Sequence, residues 1–197
     1  MGLTLVTAPT AEPVSLAEAK AHLRVLQSAE DALIASYLMA ARESAETYTR
    51  RALAPQTWDL TIDYDWPTVR RQHDGLIIPR IVLPKPPLTS VTSITYVDTA
   101  GASQTLAGSQ YLVDARGIEG VIEPTYNVTW PSVREQRAAI TVRFVTGYTQ
   151  IPEAVRAAIL LTLGHLYEHR EDVVVGPSAN ELPRGAEALL FPYRVFY

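Results

Sequence analysis

The N-terminal part of the chain repeats its apolar residues with helical spacing. Ser15 and Glu18 form a capping-box pair, in which each side chain can bond to the backbone amide of the other residue. We predict a first helix from Ser15 to about Leu26 and a second from the region Ser28–Asp31 to about Arg50. The second helix carries an apolar stripe made of Leu33, Ile34, Tyr37, Leu38, Ala41, Ala45 and Tyr48. The two helices are expected to form an antiparallel pair.

The middle of the chain alternates between apolar and polar residues with a period of two. The apolar members of two such runs are Trp58, Leu60, Ile62 and Ile140, Val142, Phe144. Turns are predicted at 98–101 and 117–120, between strands at 91–97, 103–107, 111–114 and 120–123. The three prolines in residues 83–88 cannot donate to a sheet ladder, so this stretch is predicted to be an extended connector. The pattern indicates a mostly antiparallel sheet.

A third helix is predicted from Pro152 to about Arg170, because proline is well suited to the first helical position. Its main apolar stripe is joined by Leu160 and Leu161, which lie off that stripe. A helix that is apolar on several sides is buried on several sides. The helix therefore lies between the helix pair and the sheet, or one flank meets another subunit. The predicted subunit-interface residues are Leu160, Leu161, Tyr167 and Arg170.

These elements predict an α+β fold. The N-terminal helix pair and the C-terminal helix pack together, a mostly antiparallel β-sheet is inserted between them, and an extended C-terminal arm follows. The predicted divisions are a helical core from residues 1–54 and 151–171, an inserted β-rich region at 55–150, and the arm at 172–197.

Composition narrows the possible classes of function. The chain has 197 residues, of which 47% are hydrophobic, enough for a substantial core. Its net charge of −4 disfavours tight binding to nucleic-acid phosphates. The absence of cysteine excludes disulfides, thiolate metal sites and cysteine catalysis. No apolar run approaches the roughly 20 residues that span a bilayer, and the start lacks the features of a signal peptide, so no membrane association is predicted.

Candidate catalytic and metal sites are weak. His165 and His169 have the spacing of two metal ligands on one helix face, but Leu166 stands where the metalloprotease motif needs glutamate. The carboxylates of Asp63 and Asp65 are interpreted as a solvated strand end. No glycine-rich phosphate loop or nucleophile elbow is present. We therefore predict no catalytic residue, no metal and no cofactor.

The end of the chain is unusually apolar and aromatic. Phe191, Tyr193, Phe196 and Tyr197 lie within the last seven residues, together with Arg194. One interpretation is that this tail folds back and covers its own domain. The other is that it is an arm buried in a partner, since aromatic residues and arginine dominate interface hot spots.

An ordered series of short motifs resembles a known family. The motifs are PVSLAEAK at 13–20, Ala41-Arg42 and Glu46, Arg51-Ala52-Leu53, Gln56-Thr57-Trp58, LPKPPL at 83–88, SVTSITYVD at 90–98, Gly101, Tyr111, Trp130-Pro131, Val142-Arg143-Phe144, Gly147-Tyr148, Tyr167-Glu168-His169-Arg170 and Leu189-Leu190 with Pro192-Tyr193-Arg194. In this order they resemble the head–tail connector (adaptor) proteins of tailed bacteriophages and gene transfer agents, the gp6-like and phiE125 gp8-like group.

The resemblance implies a structural protein and not an enzyme. Such proteins form a homo-oligomeric ring, usually dodecameric, beneath the portal protein at the capsid vertex. They join the portal to the next connector or tail component, and they line the channel through which double-stranded DNA passes without specific binding. The expected location is the head–tail junction of the virion, after assembly in the bacterial cytoplasm.

The resemblance also assigns a portal-docking role to the C-terminal arm. The residues it implies are Leu189, Leu190, Phe191, Pro192, Tyr193, Arg194, Phe196 and Tyr197. Two other classes of function stay open. One is a non-catalytic ligand-binding module, for example a carbohydrate-binding domain that uses Trp58, Trp66 or Trp130. The other is a metal-dependent hydrolase centred on His165 and His169.

Overall fold

The computed structural model of the protein describes residues 1–70, 77–169 and 182–196. Its helices are α1 (Leu16–Leu23), α2 (Asp31–Thr49), α3 (Glu153–Glu168) and α4 (Arg184–Leu190). Its strands are β1 (Gly2–Thr7), β2 (Gln56–Ile62), β3 (Thr68–Arg70), β4 (Ile77–Pro79), β5 (Ile81–Leu83), β6 (Leu88–Val97), β7 (Ser103–Thr105), β8 (Tyr111–Asp114), β9 (Gly120–Pro124) and β10 (Ile140–Thr146). Across the described ranges, no helix combines the length and the apolar character that crossing a membrane requires.

The predicted α+β fold class is confirmed. The chain divides into two compact units, a β unit (Met1–Pro9 and Pro55–Tyr148) and a helical unit (Thr10–Ala54 and Thr149–Tyr197). Residues 1–9, expected with the helices, belong to the β unit because β1 pairs with β2. The C-terminal segment, expected as an extended arm, includes the short helix α4 and groups with the helical unit.

The β unit is built on a five-stranded antiparallel sheet with strand order β1-β2-β10-β6-β7. The predicted alternation is confirmed in β10, whose Ile140, Val142 and Phe144 are buried. A three-stranded sheet of order β5-β9-β8 contributes Ile81 and Ile122 to the same hydrophobic cluster. Both sheets therefore bury one face in a shared core. Strands β3 and β4 form a separate pair.

The helical unit begins at the predicted capping box. The Glu18 amide donates to Ser15 Oγ at 3.2 Å, and the Ser15 amide donates to Glu18 Oε2 at 3.3 Å. The helix α1 ends at Leu23, before the predicted Leu26, because Arg24 adopts a left-handed conformation with φ of 58°. The Arg24 amide then bonds to the Ala21 carbonyl, which closes the last turn of the helix.

Helix α2 carries a buried ionic network on the face that packs inside the helical unit. Arg42 Nη1 donates to Glu46 Oε2 at 2.8 Å, and Arg42 Nε donates to Glu12 Oε2 at 2.8 Å. Glu46 Oε1 also accepts from the buried Leu53 amide at 2.7 Å. The Glu46 carboxylate therefore connects the last turns of α2 to Leu53, which follows the helix.

Candidate docking surface at the C-terminal segment

The C-terminal segment, residues 184–196, forms a short helix followed by a tight turn. Helix α4 is succeeded directly by a 3-10 turn at Phe191–Tyr193, with Pro192 in its first positions. Ala186 and Leu190 are spaced one helical turn apart, and both are fully buried in the helical unit. One side of the segment is therefore part of the core of that unit.

Backbone contacts fix the end of this segment to the C-terminal end of α2. The amide of Val195, a buried residue, donates to the Thr49 carbonyl at 3.0 Å. Arg51 Nε donates to the Tyr193 carbonyl at 2.5 Å. Because both contacts use the backbone of residues 193–195, they fix the path of the chain and not only the position of a side chain.

Side-chain contacts around Tyr48 add a second attachment to α2. The Tyr48 hydroxyl donates to Glu187 Oε1 at 3.2 Å, and the Arg194 guanidinium lies 5.1 Å from the centre of the Tyr48 ring. Burial and the neighbouring Glu187 carboxylate raise the pKa of Tyr48 above its usual value of 10. The ring of Tyr48 is thus held between an acidic and a basic residue of the C-terminal segment.

Two phenylalanines project from the anchored segment. Phe191 is 57% exposed and Phe196 is 69% exposed. Their ring centres are 6.2 Å apart in an edge-to-face arrangement, and Arg194 lies 5.3 Å from the centre of the Phe196 ring. Aromatic rings in this geometry support each other, so the Phe191–Phe196 pair is a pre-organised apolar surface beside a cation.

The structure divides the predicted arm residues into anchors and exposed groups. Leu190 is an anchor in the core, whereas Phe191, Pro192 and Phe196 are exposed. The remaining described arm residues, Leu189, Tyr193 and Arg194, are half-buried, and Tyr197 lies outside the described residues. The tail covers its own unit through Leu190 and leaves Phe191 and Phe196 exposed, and its burial in a partner stays a prediction.

The predicted subunit-interface residues on α3 are found in different environments. Leu161 is exposed and Leu160 is half-buried. The Tyr167 hydroxyl donates to the Glu30 carboxylate within the same helical unit. Arg170 lies outside the described residues. Tyr167 is half-buried, so Leu161 is the member of this set with the most exposed side chain among the described residues.

The two histidines on α3 stand next to each other. The rings of His165 and His169 have their centres 4.5 Å apart, and His169 Nδ1 lies 3.1 Å from the His165 carbonyl oxygen. Within residues 1–70, 77–169 and 182–196, no group of three or more histidine, aspartate or glutamate side chains is arranged to hold a metal ion.

The tryptophans of the β unit take part in core packing. Trp66 is buried and stacks on Trp130 with ring centres 4.5 Å apart and an interplanar angle of 11°. Trp66 Nε1 also donates to the Pro131 carbonyl at 2.8 Å. A sugar-binding platform needs an accessible indole face, and Trp66 has none to offer. Trp58 packs against the same core cluster and has Lys85 Nζ 5.7 Å from its ring centre.

The anchoring residues Tyr48, Thr49 and Arg51 were not predicted from sequence. Their contacts are with residues more than 130 positions away along the chain, for example 142 positions between Arg51 and Tyr193. Strand β1 was also missed, although its alternation of Leu3 and Leu5 with Thr4 carries the period of a strand.

Known proteins identify the group that this chain is similar to. The sequence profile of the phage gp6-like head-tail connector protein family matches residues 13–77. Among curated proteins, no sequence matches the chain.

Solved structures match the chain over its whole length. A chain from the neck of an empty gene transfer agent particle, computed with C6 symmetry, has 26% sequence identity and a TM-score of 0.78, with 100% of this chain and 97% of that chain covered. A chain from the virion of a native gene transfer agent particle has 26% identity and a TM-score of 0.76 at the same coverage. For a chain from the neck of the native particle, computed with C12 symmetry, the identity of 24% and the TM-score of 0.75 show a shared fold. The predicted resemblance is therefore confirmed: the chain is similar to the phage gp6-like head-tail connector proteins over residues 13–77 and to chains of gene transfer agent particles over its whole length.

Proposed function

We propose that this chain is a structural head–tail connector that forms a ring beneath a portal protein, joins the capsid vertex to the tail and lines the channel for DNA. Support for the connector role comes from the family profile over residues 13–77 and from the similarity to chains of gene transfer agent necks. Those necks were computed with C6 and C12 symmetry, which fits a ring made of identical copies.

The observation that carries the proposed portal contact is the exposed Phe191–Phe196 pair on an anchored segment. Leu190 precedes Phe191 and Val195 precedes Phe196, and both are buried, so the segment is already ordered before it meets a partner. An ordered segment loses little conformational entropy on binding. Aromatic side chains next to an arginine are the residue types that most often dominate interface energies.

The energy available from this pair can be worked out from its exposure. Fully burying a phenylalanine contributes about 1.5 to 3 kcal/mol, and more than half of each side chain is exposed here. Burying the rest of both rings then contributes about 2 to 4 kcal/mol, which corresponds to a change in affinity of roughly 30- to 700-fold for each copy. A ring repeats the contact around its axis, so the assembled affinity is larger through multivalency.

The test is binding to the portal protein from the same genome, measured with the double variant Phe191→Ala/Phe196→Ala. We expect portal binding to fall by roughly 30-fold or more, while the thermal unfolding temperature stays close to that of the wild type. The matched control is Leu26→Ala, which removes an exposed apolar side chain from the loop between α1 and α2.

Two results would contradict the proposed contact. Unchanged portal binding by the double variant would show that the pair is not the docking surface. Unfolding of the double variant would show that the two rings belong to the core. A third variant, Leu190→Ala, serves as the reference for loss of core packing, since truncating a fully buried leucine costs about 2 to 5 kcal/mol.

The proposed DNA channel is supported by the net charge of the chain, and the proposed ring contacts involve helix α3. The net charge of −4 suits a channel that must release DNA, because tight phosphate binding would slow its passage. Within the ring, Leu160 and Leu161 on α3, with Tyr167 and Arg170 near its end, remain the proposed subunit contacts of the helical unit. The portal, the next tail component and neighbouring copies are the proposed partners.

A further inference from the structure

Strand β1 is an edge strand whose side chains are all exposed. Among the described residues it pairs only with β2 in the five-stranded sheet, and all six of its residues are exposed. Leu3 lies opposite Leu60 and Leu5 lies opposite Trp58, so both leucines share the face that β2 turns toward the core. The apolar face of the sheet therefore continues beyond the core onto β1, where Leu3 is 36% and Leu5 is 43% exposed.

Edge strands of soluble proteins are normally protected against pairing with other chains. The common devices are charged side chains, proline and bulges. Strand β1 contains neither a charged residue nor proline, and its pairing is regular from Gly2 to Leu5, with an irregularity only between Leu5 and Thr7. Over Gly2–Leu5 the edge has none of these three devices, and such an edge is a template for an added strand.

Strand β8 is a second exposed edge in the same unit. It forms the edge of the three-stranded sheet, and both Leu112, at 61% exposure, and Val113 are exposed although they point to opposite faces. Val113 lies opposite the buried Ile122, so the core face of this sheet also continues onto its edge.

A cleft of about 380 Å³ runs beside β8. Its lining consists of Arg80, Leu112, Val113, Asp114, Arg116, Val121 and Glu123. The charges of Asp114 and Arg116 are already paired at 2.9 Å, so an uncharged strand meets no lone charge from these two residues.

We infer that β1 of one copy adds to the β8 edge of a neighbouring copy and so forms a subunit contact of the ring. This inference rests on the proposed ring and names the surfaces that build it. Residues Gly2–Leu5 match the four residues of β8 in length. The two edges are different surfaces, and a head-to-tail contact between different surfaces continues from copy to copy until a ring closes. Pairing of β1 with β1 would stop at two copies.

The other free edge of the five-stranded sheet fits the role less well. Strand β7 has three residues, Ser103–Thr105, and all are polar. Pairing it with β1 would leave Leu3 and Leu5 facing polar side chains. Strand β8 offers apolar side chains on both of its faces, Leu112 on one and Val113 on the other.

The absence of cysteine in the chain permits a direct crosslinking test. Thr4 and Leu112 are exposed and lie on the strand faces opposite Leu3 and Val113, so each can be changed to cysteine without touching the core. The full chain carrying both Thr4→Cys and Leu112→Cys is crosslinked with a short bis-maleimide, alone and with the portal protein. The matched control carries Thr4→Cys with Leu26→Cys. Assembly of each variant is measured by light scattering.

A ladder of covalent multimers from the Thr4→Cys/Leu112→Cys chain, with no ladder from the control pair, is the expected result. Leu5→Lys, which places a charge on the β1 edge, is expected to weaken self-association at least about tenfold, whereas Leu26→Lys leaves it unchanged. Dimers formed by Thr4→Cys alone would overturn the inference, because they would show pairing of β1 with itself. A ring that assembles without the ladder would overturn the inference and leave the proposed function standing. A chain that assembles neither alone nor with the portal would overturn both.

Discussion

The buried Arg42–Glu46 network offers a test of how the helical unit holds its C-terminal segment. Arg42 is 5% exposed and Glu46 is 8% exposed. The perturbation is Glu46→Ala, which removes the acceptor of both Arg42 Nη1 and the Leu53 amide. Helix α2, which carries these residues, also supplies Thr49, whose carbonyl holds Val195. Loss of the network is therefore expected to weaken, through α2, the attachment of the C-terminal segment at Val195.

The magnitude follows from the two groups left without Glu46. The buried Leu53 amide loses its acceptor, which costs about 1 to 3 kcal/mol. The buried guanidinium loses one of its carboxylates, and breaking such a pair costs about 3 to 5 kcal/mol when no other partner remains. Glu12 remains bonded to Arg42, so the total is expected near 3 to 5 kcal/mol rather than the sum.

The assay is urea unfolding followed by circular dichroism at the helical band. The matched control is Glu43→Ala, since Glu43 also contacts Arg42, at 3.4 Å, but its side chain is 62% exposed. We expect that control to change stability by about 0.5 kcal/mol or less. The double variant Arg42→Met/Glu46→Leu removes both charges of the buried pair and leaves the less buried Glu12 carboxylate, so it is expected to lose less stability than Glu46→Ala. If Glu46→Ala costs no more than Glu43→Ala, the network does not stabilise the unit and the reasoning fails.

Two further predictions concern pH and packing. Burial tends to raise the pKa of Glu18, but hydrogen bonds from the Ser15 amide and from Arg156 outweigh it and hold that pKa below its usual 4.5. The stabilisation from the Glu18 carboxylate is therefore fully present above pH 4.5. It is lost as the pH falls through the lower pKa of the folded state. The stability gap between wild type and Glu18→Gln, which keeps the capping hydrogen bond, should therefore be largest at neutral pH and narrow in unfolding titrations below pH 4.5; a gap that is constant with pH would contradict this. Gly120→Ala should lower the free energy of unfolding by about 1 to 3 kcal/mol in denaturant titrations, because the new methyl would lie 2.7 Å from Leu88 Cβ. The control Gly108→Ala should leave stability unchanged, since no heavy atom lies within 4 Å of its added methyl. Equal stability of the two variants would refute the clash.

Much of the fold follows from local pattern. The capping box at Ser15 and Glu18 begins α1, and the period of two in β10 fixes which of its side chains are buried, because both signals act between residues close in sequence. The failures have a common cause. Strand β1 is defined by pairing with β2, which lies more than 50 residues later, and the left-handed Arg24 ends α1 early without a glycine to indicate it.

The sequence by itself determined that the chain ends in an aromatic segment with excess apolar surface. It could not determine which of those side chains are core. Leu190 and Phe191 are adjacent and both apolar, yet one is fully buried and the other is exposed. The difference arises because successive residues of a helical turn point about 100° apart, and only the packing of α4 within the helical unit decides which direction faces the core. The apolar residues of this segment set how much surface is favourable to bury, and the tertiary structure decides which of their side chains stay exposed.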